Sequence, residues 1–402
     1  MGIIDESTRI IHEEGAAVFI RRAILRLARD LWAVVTWARD ELDPGTRFCM
    51  SDLKKGLRES PRPIEKLSGD TLVRIIQAYL AAKKAQPHQP APYQVTGDWA
   101  SIAGDHHRNM VEALERRDPG SLRQILDNFA REPISRGLHL SGTLPRSFLA
   151  RVYLLKAMNR SYRAWKRMTA LPDDALEYEK DVGNMHGMDS NGKSIMLPAF
   201  NQSYFAQRIT ELLKGKESGV TIVEIGGGYG SLPYHLFKNA GFPGRYRYLD
   251  IPEMCVLASY FLMSHFPGKK FLLYGEGDPS SPGVDAPDIS ILPNFCLKDL
   301  PDRSCDLVFN SHGMSQMAPE TIREYLAQVD RISRRYFLHA NTELESASLV
   351  REVNYVNLNR PEFELSRHRW LRLYRFPELI RNDGIINPEF SSWEYLYERR
   401  DS

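Results

Sequence analysis

The stretch Thr221–Phe237, TIVEIGGGYGSLPYHLF, decides the fold of this chain. A run of β-branched and apolar residues leads through a glycine-rich loop into a segment of helical character. Such a junction holds nucleotides, because glycine lets a ligand approach the backbone and the helix N-terminus directs its N–H groups at it. The glycines at positions 226, 228 and 230 follow the pattern G-x-G-x-G, whereas a dinucleotide fingerprint needs a further glycine where this chain has Ser231. The loop therefore favours a nucleoside ligand without a pyrophosphate.

The next predicted strand, YRYLDI (Tyr246–Ile251), carries an acid near its end, Asp250. A carboxylate at the tip of the second strand of such a unit accepts hydrogen bonds from ribose hydroxyls. Strand, glycine loop, helix, strand and terminal acid together predict a nucleoside site.

Beyond residue 195, short β-branched runs alternate with amphipathic helical segments. This alternation predicts parallel βαβ units in a doubly wound α/β sheet. The remaining strand candidates are Phe271–Gly275, Asp288–Asn294, Cys305–Asn310, Tyr336–Asn341, and an antiparallel pair at Arg369–Phe376 and Ser391–Glu398. The helix candidates are Ser231–Asn239, Glu253–His265, Pro319–Ser333 and Glu343–Val356.

The first ~175 residues read as helical. A stripe of apolar residues recurs with helical spacing at Ile20, Ile24, Leu27, Leu31, Val34 and Val35. Arginines at 21, 22, 26 and 29 fall on the other side, and we interpret them as the solvated face of a packed helix in preference to a membrane-surface helix. Further helices are predicted at Gly69–Lys83, Asn109–Arg116, Ser121–Arg131 and Ser147–Met168, and Ala82–Gln94 is expected to be a loop or linker.

These patterns divide the chain into a helical N-terminal domain (1–180), a connecting segment that could form a lid (181–200) and an α/β domain (201–402). We expect the helical domain to bind the substrate that accepts a group from the α/β domain, to mediate homodimerisation, or both.

Composition excludes several classes of protein. The 402 residues carry 53 Lys and Arg against 51 Asp and Glu, a balance that argues against a nucleic-acid binder. No apolar run approaches the ~20 residues of a membrane span. The four cysteines are far apart, which fits free thiols and neither a disulfide framework nor a zinc site. We expect a cytoplasmic protein without a metal.

The motifs resemble those of class I S-adenosylmethionine-dependent methyltransferases, whose fold is a seven-stranded Rossmann-like sheet with an antiparallel last strand. The runs EIGGGYGSLPYHL, YRYLDIPEM and CDLVFNSHGMSQM further resemble the sugar O-methyltransferases of polysaccharide and natural-product pathways. Gly313 and Gln316 depart from that family's pattern, which puts any role of an acid at position 316 in doubt. The resemblance covers roughly residues 198–400.

The resemblance implies a set of cofactor contacts. Glu224 and the backbone of Gly226, Gly227, Gly228 and Gly230 would hold the methionine end of S-adenosylmethionine. Asp250 would hold the ribose, Ile251 would lie along the adenine, and Asn294 with Phe295 would border it. Asn310 and its successors would face the methyl group.

Methyl transfer to a sugar hydroxyl benefits from a general base, worth roughly 10²–10⁴-fold. His312, just past the fourth strand, is the preferred candidate, and His186 in the glycine-containing segment is the second. His339 is expected to be a core residue. Asp105-His106-His107 is not expected to bind a metal, because adjacent residues on a helix do not share a face.

Alternatives remain. The residues do not separate a sugar oxygen from a phenol or another metabolite; the family resemblance alone favours a sugar or glycan acceptor. A non-catalytic methyltransferase-like interaction protein is a second hypothesis. An NAD-dependent oxidoreductase is a third, disfavoured by Ser231.

Overall fold

The computed structural model describes residues 16–58, 66–95, 104–136, 138, 145, 147–215, 219–278, 286–343, 356–381 and 392–400. The helices are α1 (Ala16–Glu41), α2 (Met50–Gly56), α3 (Gly69–Ala85), α4 (Arg108–Glu115), α5 (Pro119–Leu126), α6 (Phe148–Met168), α7 (Leu197–Leu212), α8 (Ser231–Asn239), α9 (Pro252–His265) and α10 (Pro319–Ile332). The strands are β1 (Met188–Ser190), β2 (Lys193–Ile195), β3 (Thr221–Ile225), β4 (Arg245–Asp250), β5 (Phe271–Leu273), β6 (Ile289–Pro293), β7 (Cys305–Ser311), β8 (Ser333–Thr342), β9 (Trp370–Pro377) and β10 (Ser392–Arg399).

The main sheet has the strand order β5-β6-β4-β3-β7-β8-β10-β9. In this order, the first six strands, from β5 at the edge to β8, all pair in parallel. Strand β10 runs antiparallel to both β8 and β9. The predicted doubly wound fold is therefore confirmed, with its antiparallel strand near the end of the chain. The eight strands of this sheet correspond to the eight strand candidates of the sequence, whereas the family resemblance implied seven; the additional strand is the short β5, which pairs with β6 at the edge.

Two apolar cores lie on opposite faces of this sheet. In β3, Ile222 belongs to one core, while Val223 and Ile225 belong to the other. Such alternation follows from the two-residue period of a strand. Helix α10 covers the second face, whereas α7, α8 and α9 cover the first.

Helix α9 is apolar all round because it is buried on all sides, between β4 and β6 of the sheet and α3 of the N-terminal half. Lys83 of α3 forms an ion pair at 3.0 Å with Glu253 of α9. Arg74 of α3 donates a hydrogen bond to the carbonyl of Phe271 at 2.6 Å. The N-terminal helices thus pack directly on the α/β part, and one apolar core runs through both.

Most predicted helices are found within a few residues of their expected ends, although α5 ends at Leu126 and not at Arg131. Helix α7 and the β1–β2 hairpin were not predicted. The helix predicted at 343–356 falls almost wholly outside the described residues. The Ala82–Gln94 segment is no interdomain linker: Tyr93 is buried, its carbonyl accepts from Asn294, and its hydroxyl donates to Glu324 at 2.8 Å.

The first part of the segment predicted as a lid (181–200) is buried in the core, whereas Asn191 and Gly192 at the β1–β2 turn are exposed. Val182, Met185 and Met188 are all at most 1 % exposed, and the backbone of Gly187 lies against α2. A Cβ atom on Gly56 of α2 would come within 2.0 Å of the Gly187 carbonyl oxygen. Packing this close holds the backbone around Gly187 firmly against α2.

Candidate active site

A cavity of about 430 Å³ opens at the carboxyl ends of the central strands. Its wall contains Ile225 from the end of β3, Asp250 from the end of β4, Asn294 just after β6 and Ser311 from the end of β7. Open α/β sheets bind ligands at this edge. The topology therefore brings together most of the positions selected from the sequence.

The glycine loop forms one wall of the cavity through Gly226, Gly227 and Gly228. Gly228 adopts a left-handed backbone with φ +59°, which favours glycine. At Gly227 the constraint is space, because a Cβ atom would lie 2.3 Å from Oε2 of Glu224. The fourth predicted glycine, Gly230, lies outside the cavity wall and precedes α8, where a left-handed φ of +90° turns the chain into the helix.

The carboxylate of Asp250 is hydrogen-bonded to the glycine loop. Its Oδ2 accepts from the Gly228 N–H at 2.9 Å and from the Tyr248 hydroxyl at 3.0 Å, and its Oδ1 accepts from the Ile251 N–H at 2.7 Å. Burial raises the pKa of Asp250 to about 6, although these hydrogen bonds lower it in part. A carboxylate has about four lone-pair sites, so this one retains acceptor capacity toward the cavity.

Glu224 does not reach the cavity. Its side chain points to the α7–α9 face of the sheet, where it is 3 % exposed and accepts from the Tyr246 hydroxyl at 2.7 Å. Burial raises the pKa of Glu224 to about 8. Glu224, predicted to contact the methionine end of a cofactor, thus lies beneath the glycine loop and outside the cavity wall, because strand alternation turns its side chain away.

Of the two residues predicted to border the adenine, Asn294 and Phe295, only the first lines the cavity. Asn294 lines the cavity, and its Nδ2 donates to the Tyr93 carbonyl and the Tyr325 hydroxyl, both at 3.0 Å. Its buried Oδ1 has no hydrogen-bond partner among the described residues. Ile251 also lines the cavity, but Phe295 does not, since it packs edge-on against Tyr274 in the core.

Asn310 is a structural residue and does not face the cavity. It is fully buried, and its Nδ2 donates to the Ile225 carbonyl at 2.8 Å. Its Oδ1 accepts from Asn341 at 2.9 Å and from the Met314 N–H at 3.3 Å. These bonds tie together the ends of β3, β7 and β8. Of the residues predicted to face the methyl group, Asn310 therefore does not line the cavity, whereas Ser311 and His312 after it do.

His312 lines the cavity and is held by a carboxylate. Its Nε2 lies 3.0 Å from Oε2 and 3.2 Å from Oε1 of Glu378, which is 3 % exposed. Glu378 in turn accepts from Nδ2 of Asn201 at 2.8 Å. This arrangement assigns the proton of neutral His312 to Nε2 and leaves Nδ1, 3.5 Å from the Ser392 hydroxyl, as the basic nitrogen.

The pKa values of His312 and Glu378 are both lowered, but by different causes. Burial and the nearby Arg381 lower the pKa of His312, and Glu378 offsets this only in part. Burial alone would raise the pKa of Glu378, but His312, Arg381 and Ser392 lower it overall. At neutral pH the pair is therefore a neutral imidazole beside a carboxylate.

The other histidine candidates lie elsewhere. His186 is 3 % exposed within the buried 182–188 segment and does not line the cavity, so the structure does not support it as a base. His339 stacks on Tyr395 at 4.8 Å, and burial lowers its pKa to about 3. His107 is fully buried, and within the described part of the chain no three His, Cys, Asp or Glu residues are grouped to hold a metal ion.

Several cavity residues were not found from the sequence. Buried oxygens without a hydrogen-bond partner among the described residues belong to Asn201 (Oδ1), Gln202 (Oε1) and Ser311 (Oγ). Residues from distant segments also line the cavity, among them Pro92, Gln94, Val95, Leu138, Ala157, Ser161 and Arg381. No local motif marks these positions, since they reach the cavity only through tertiary packing.

Comparison with known proteins finds no matching family model and no matching curated protein. Among solved structures, the chain is similar to magnesium protoporphyrin IX methyltransferase from Synechocystis PCC 6803 with bound SAH (10 % identity, 59 % of this chain and 94 % of that chain, TM-score 0.36). It is similar to geranyl diphosphate methyltransferase in complex with SAM (12 %, 49 % and 85 %, TM-score 0.35). It is also similar to an arsenic(III) S-adenosylmethionine methyltransferase from Chlamydomonas reinhardtii (15 %, 45 % and 63 %, TM-score 0.30). Because these TM-scores are low, the assignment of the fold depends on the observed sheet topology and not on these similarities.

None of the helices described is long and apolar enough to cross a membrane.

Proposed function

We propose that this chain is an S-adenosylmethionine-dependent O-methyltransferase that methylates a hydroxyl of a sugar, a glycan or a glycosylated small molecule. The observation that carries the proposal is the cavity that joins the glycine loop, Asp250 and Asn294 to the His312–Glu378 pair.

The residues present suit an adenosyl cofactor. The orphaned Oδ1 of Asn294 would accept a hydrogen bond from the adenine amino group, which removes the cost of leaving a buried oxygen unpaired. Asp250 would accept from the ribose hydroxyls, and Ile251 would lie along the base. The glycine loop leaves space for the amino-acid end beside the backbone of Gly226 and Gly227.

When bound, S-adenosylmethionine supplies an electrophilic methyl group; the chain supplies orientation and a place for the proton. His312 lines the cavity with Nδ1 as its basic nitrogen. The proton of the acceptor hydroxyl passes to this Nδ1, and the carboxylate of Glu378 stabilises the imidazolium that forms. Glu378 holds the ring orientation through Nε2.

The unpaired oxygens favour a hydroxylated acceptor. Asn201, Gln202 and Ser311 line the same cavity as His312, and each carries a buried oxygen with no hydrogen-bond partner among the described residues. A polyhydroxylated ligand presents several O–H donors in close succession, whereas a flat phenol presents few. This argues for a sugar over another metabolite within the same reaction class.

The helical first part of the chain contributes to acceptor choice under this proposal. Leu138, Ala157 and Ser161 of that part line the cavity together with the residues of the α/β part. Loops and added helices at this edge of a sheet are where specificity is set.

The proposal is tested with S-adenosylmethionine carrying a labelled methyl group and four acceptor sets: nucleotide-sugars, glycosides, phenols and amines. We expect label on hydroxyls of the sugar-containing sets, and much less with His312→Ala. The exposed His88 provides a matched control, and His88→Ala should transfer label at the wild-type rate. Label on amines alone, or full transfer by His312→Ala, would contradict the proposal.

A further inference from the structure

Helix α1 presents an apolar stripe that nothing described in the chain covers. Ala33 is its only buried residue, although the helix is 26 residues long. The stripe consists of Ile20, Ile24, Leu27, Leu31 and Val35, together with Leu42 just past the helix end, and each of these is more than half exposed; the half-buried Val34 lies at its edge. The expectation that this stripe packs inward is wrong, because α1 attaches to the protein by a different face.

That attachment runs along α6. Trp37 packs edge-on against Phe148 at 5.2 Å, and Asp30 accepts from the Tyr153 hydroxyl at 2.5 Å. At ~100° per residue, Asp30, Ala33 and Trp37 point away from the direction of the stripe. The stripe therefore faces outward along a helix about 39 Å long.

The spacing of the stripe suits a second helix. From Ile20 the apolar residues follow at steps of four, three, four, three and four, through Ile24, Leu27, Leu31, the half-buried Val34 and the small Ala38. This is the 3.5-residue repeat by which two helices bury a common seam. An apolar stripe of this extent on a protein surface marks a site of association.

The charges of α1 favour one orientation of the two helices. Residues 16–29 contain four arginines and no acid, whereas residues 30–43 contain four acids and one arginine. A parallel pair would place the two arginine-rich halves side by side. An antiparallel pair places each arginine-rich half beside the acidic half of the other copy and opposes the two helix dipoles.

We infer that α1 is a homodimer interface, in which two copies of this chain pair their α1 helices antiparallel about a twofold axis near Leu31. Such an interface is self-complementary, as a twofold axis requires. It puts Ile20 of one copy near Leu42 of the other and covers both stripes at once.

The oligomeric state tests the inference. Light scattering after size exclusion should give twice the chain mass for the wild type and a single chain mass for Leu27→Glu with Leu31→Glu. Leu25→Glu is the matched control, because Leu25 is 59 % exposed on the same helix but lies off the stripe. A monomeric wild type, or a double variant that stays dimeric with unchanged circular dichroism, would overturn the interface.

Cysteine crosslinking tests the orientation in a Cys49→Ser background. Leu31→Cys should crosslink to itself, and chains with Ile20→Cys should crosslink to chains with Leu42→Cys. Ile20→Cys alone should not crosslink, because its two copies lie at opposite ends of an antiparallel pair. Self-crosslinking of Ile20→Cys would overturn the antiparallel arrangement.

The same stripe beside arginines could instead bind an anionic surface. Flotation with phosphatidylserine–phosphatidylcholine vesicles separates the two outcomes. We expect the wild-type dimer to stay in solution. A chain that is monomeric and floats with the vesicles through Leu27 and Leu31 would overturn the dimer.

Discussion

Nε2 of His312 lies 3.0 Å from the carboxylate of Glu378, a residue 66 positions further along the chain. His312 lines the cavity, and it adopts a left-handed backbone with φ +61°. This conformation is uncommon for a residue with a side chain and is typically held in place by its surroundings at functional sites. Here the His312 N–H donates to the Ala340 carbonyl at 2.7 Å. The fold thus fixes an imidazole beside a buried carboxylate.

The first prediction concerns turnover. His312→Ala should lower kcat by roughly 10²–10⁴-fold, because it removes the base. Glu378→Gln should lower kcat by less and leave the affinity for S-adenosylhomocysteine unchanged, since it disturbs only ring orientation and the imidazolium. Single-turnover assays and calorimetry measure the two quantities. If Glu378→Gln lost cofactor affinity and kept kcat, Glu378 would not be a positioning residue.

The second prediction concerns pH. Neutral His312 is the active form, so the rate should rise with pH through a pKa below the ordinary value of 6.5. Arg381→Met removes a positive charge that lowers this pKa, and the acidic limb of the kcat profile should move to higher pH. A limb that stays in place, or moves to lower pH, would show that the rate does not report on His312.

The third prediction concerns Glu224. Its pKa of about 8 lies above its ordinary value of 4.5, so the folded chain holds a proton that the unfolded chain releases. The stability from this proton is complete below pH 4.5 and is lost as the pH rises toward 8. Glu224→Gln cannot lose a proton at this site. Its gain in the free energy of unfolding over the wild type should therefore be larger at pH 8 than at pH 5, by about 1–3 kcal/mol.

Denaturant unfolding at the two pH values measures this change, with the exposed Glu320→Gln as the control. Because Glu224 lies outside the cavity wall, Glu224→Gln should also keep wild-type affinity for S-adenosylhomocysteine. A tenfold loss of affinity would restore the contact with the methionine end that the sequence motif implies.

The fourth prediction concerns the base of the cofactor. Replacing adenine by hypoxanthine puts a carbonyl oxygen where the amino group would meet Oδ1 of Asn294. Two facing acceptors should weaken binding roughly tenfold or more. Asn294→Ala should remove most of this discrimination. Equal affinities of the wild type for S-adenosylhomocysteine and S-inosylhomocysteine would place the base elsewhere.

Local sequence predicted the strands, the glycine loop and the acid of Asp250 because their signals lie within a few residues of one another. It failed where the direction of a side chain depends on tertiary structure. Glu224 and Asn310 stand at the expected strand ends but turn toward buried partners, Tyr246 and Ile225. Glu378 gave no signal, since its partner His312 is distant in sequence.

In the N-terminal half, too, the sequence did not show which side of an element packs against the rest of the protein. Periodicity located α1 and its apolar stripe, but it could not tell which face packs on the protein, because that depends on α6. The 181–200 segment resembled a lid because glycines and polar residues are also typical of mobile loops, yet residues 182–188 of it are buried. Only the close approach of Gly56 and Gly187 shows why glycine is needed there.

The central claim is that the cavity binds an adenosyl cofactor through Asp250, and calorimetric titration tests it most directly. S-adenosylhomocysteine should bind the wild type with one site per chain, NAD should not bind, and Asp250→Ala should lose the binding while its thermal unfolding stays cooperative. Binding of NAD without S-adenosylhomocysteine, or wild-type affinity in Asp250→Ala, would contradict the account.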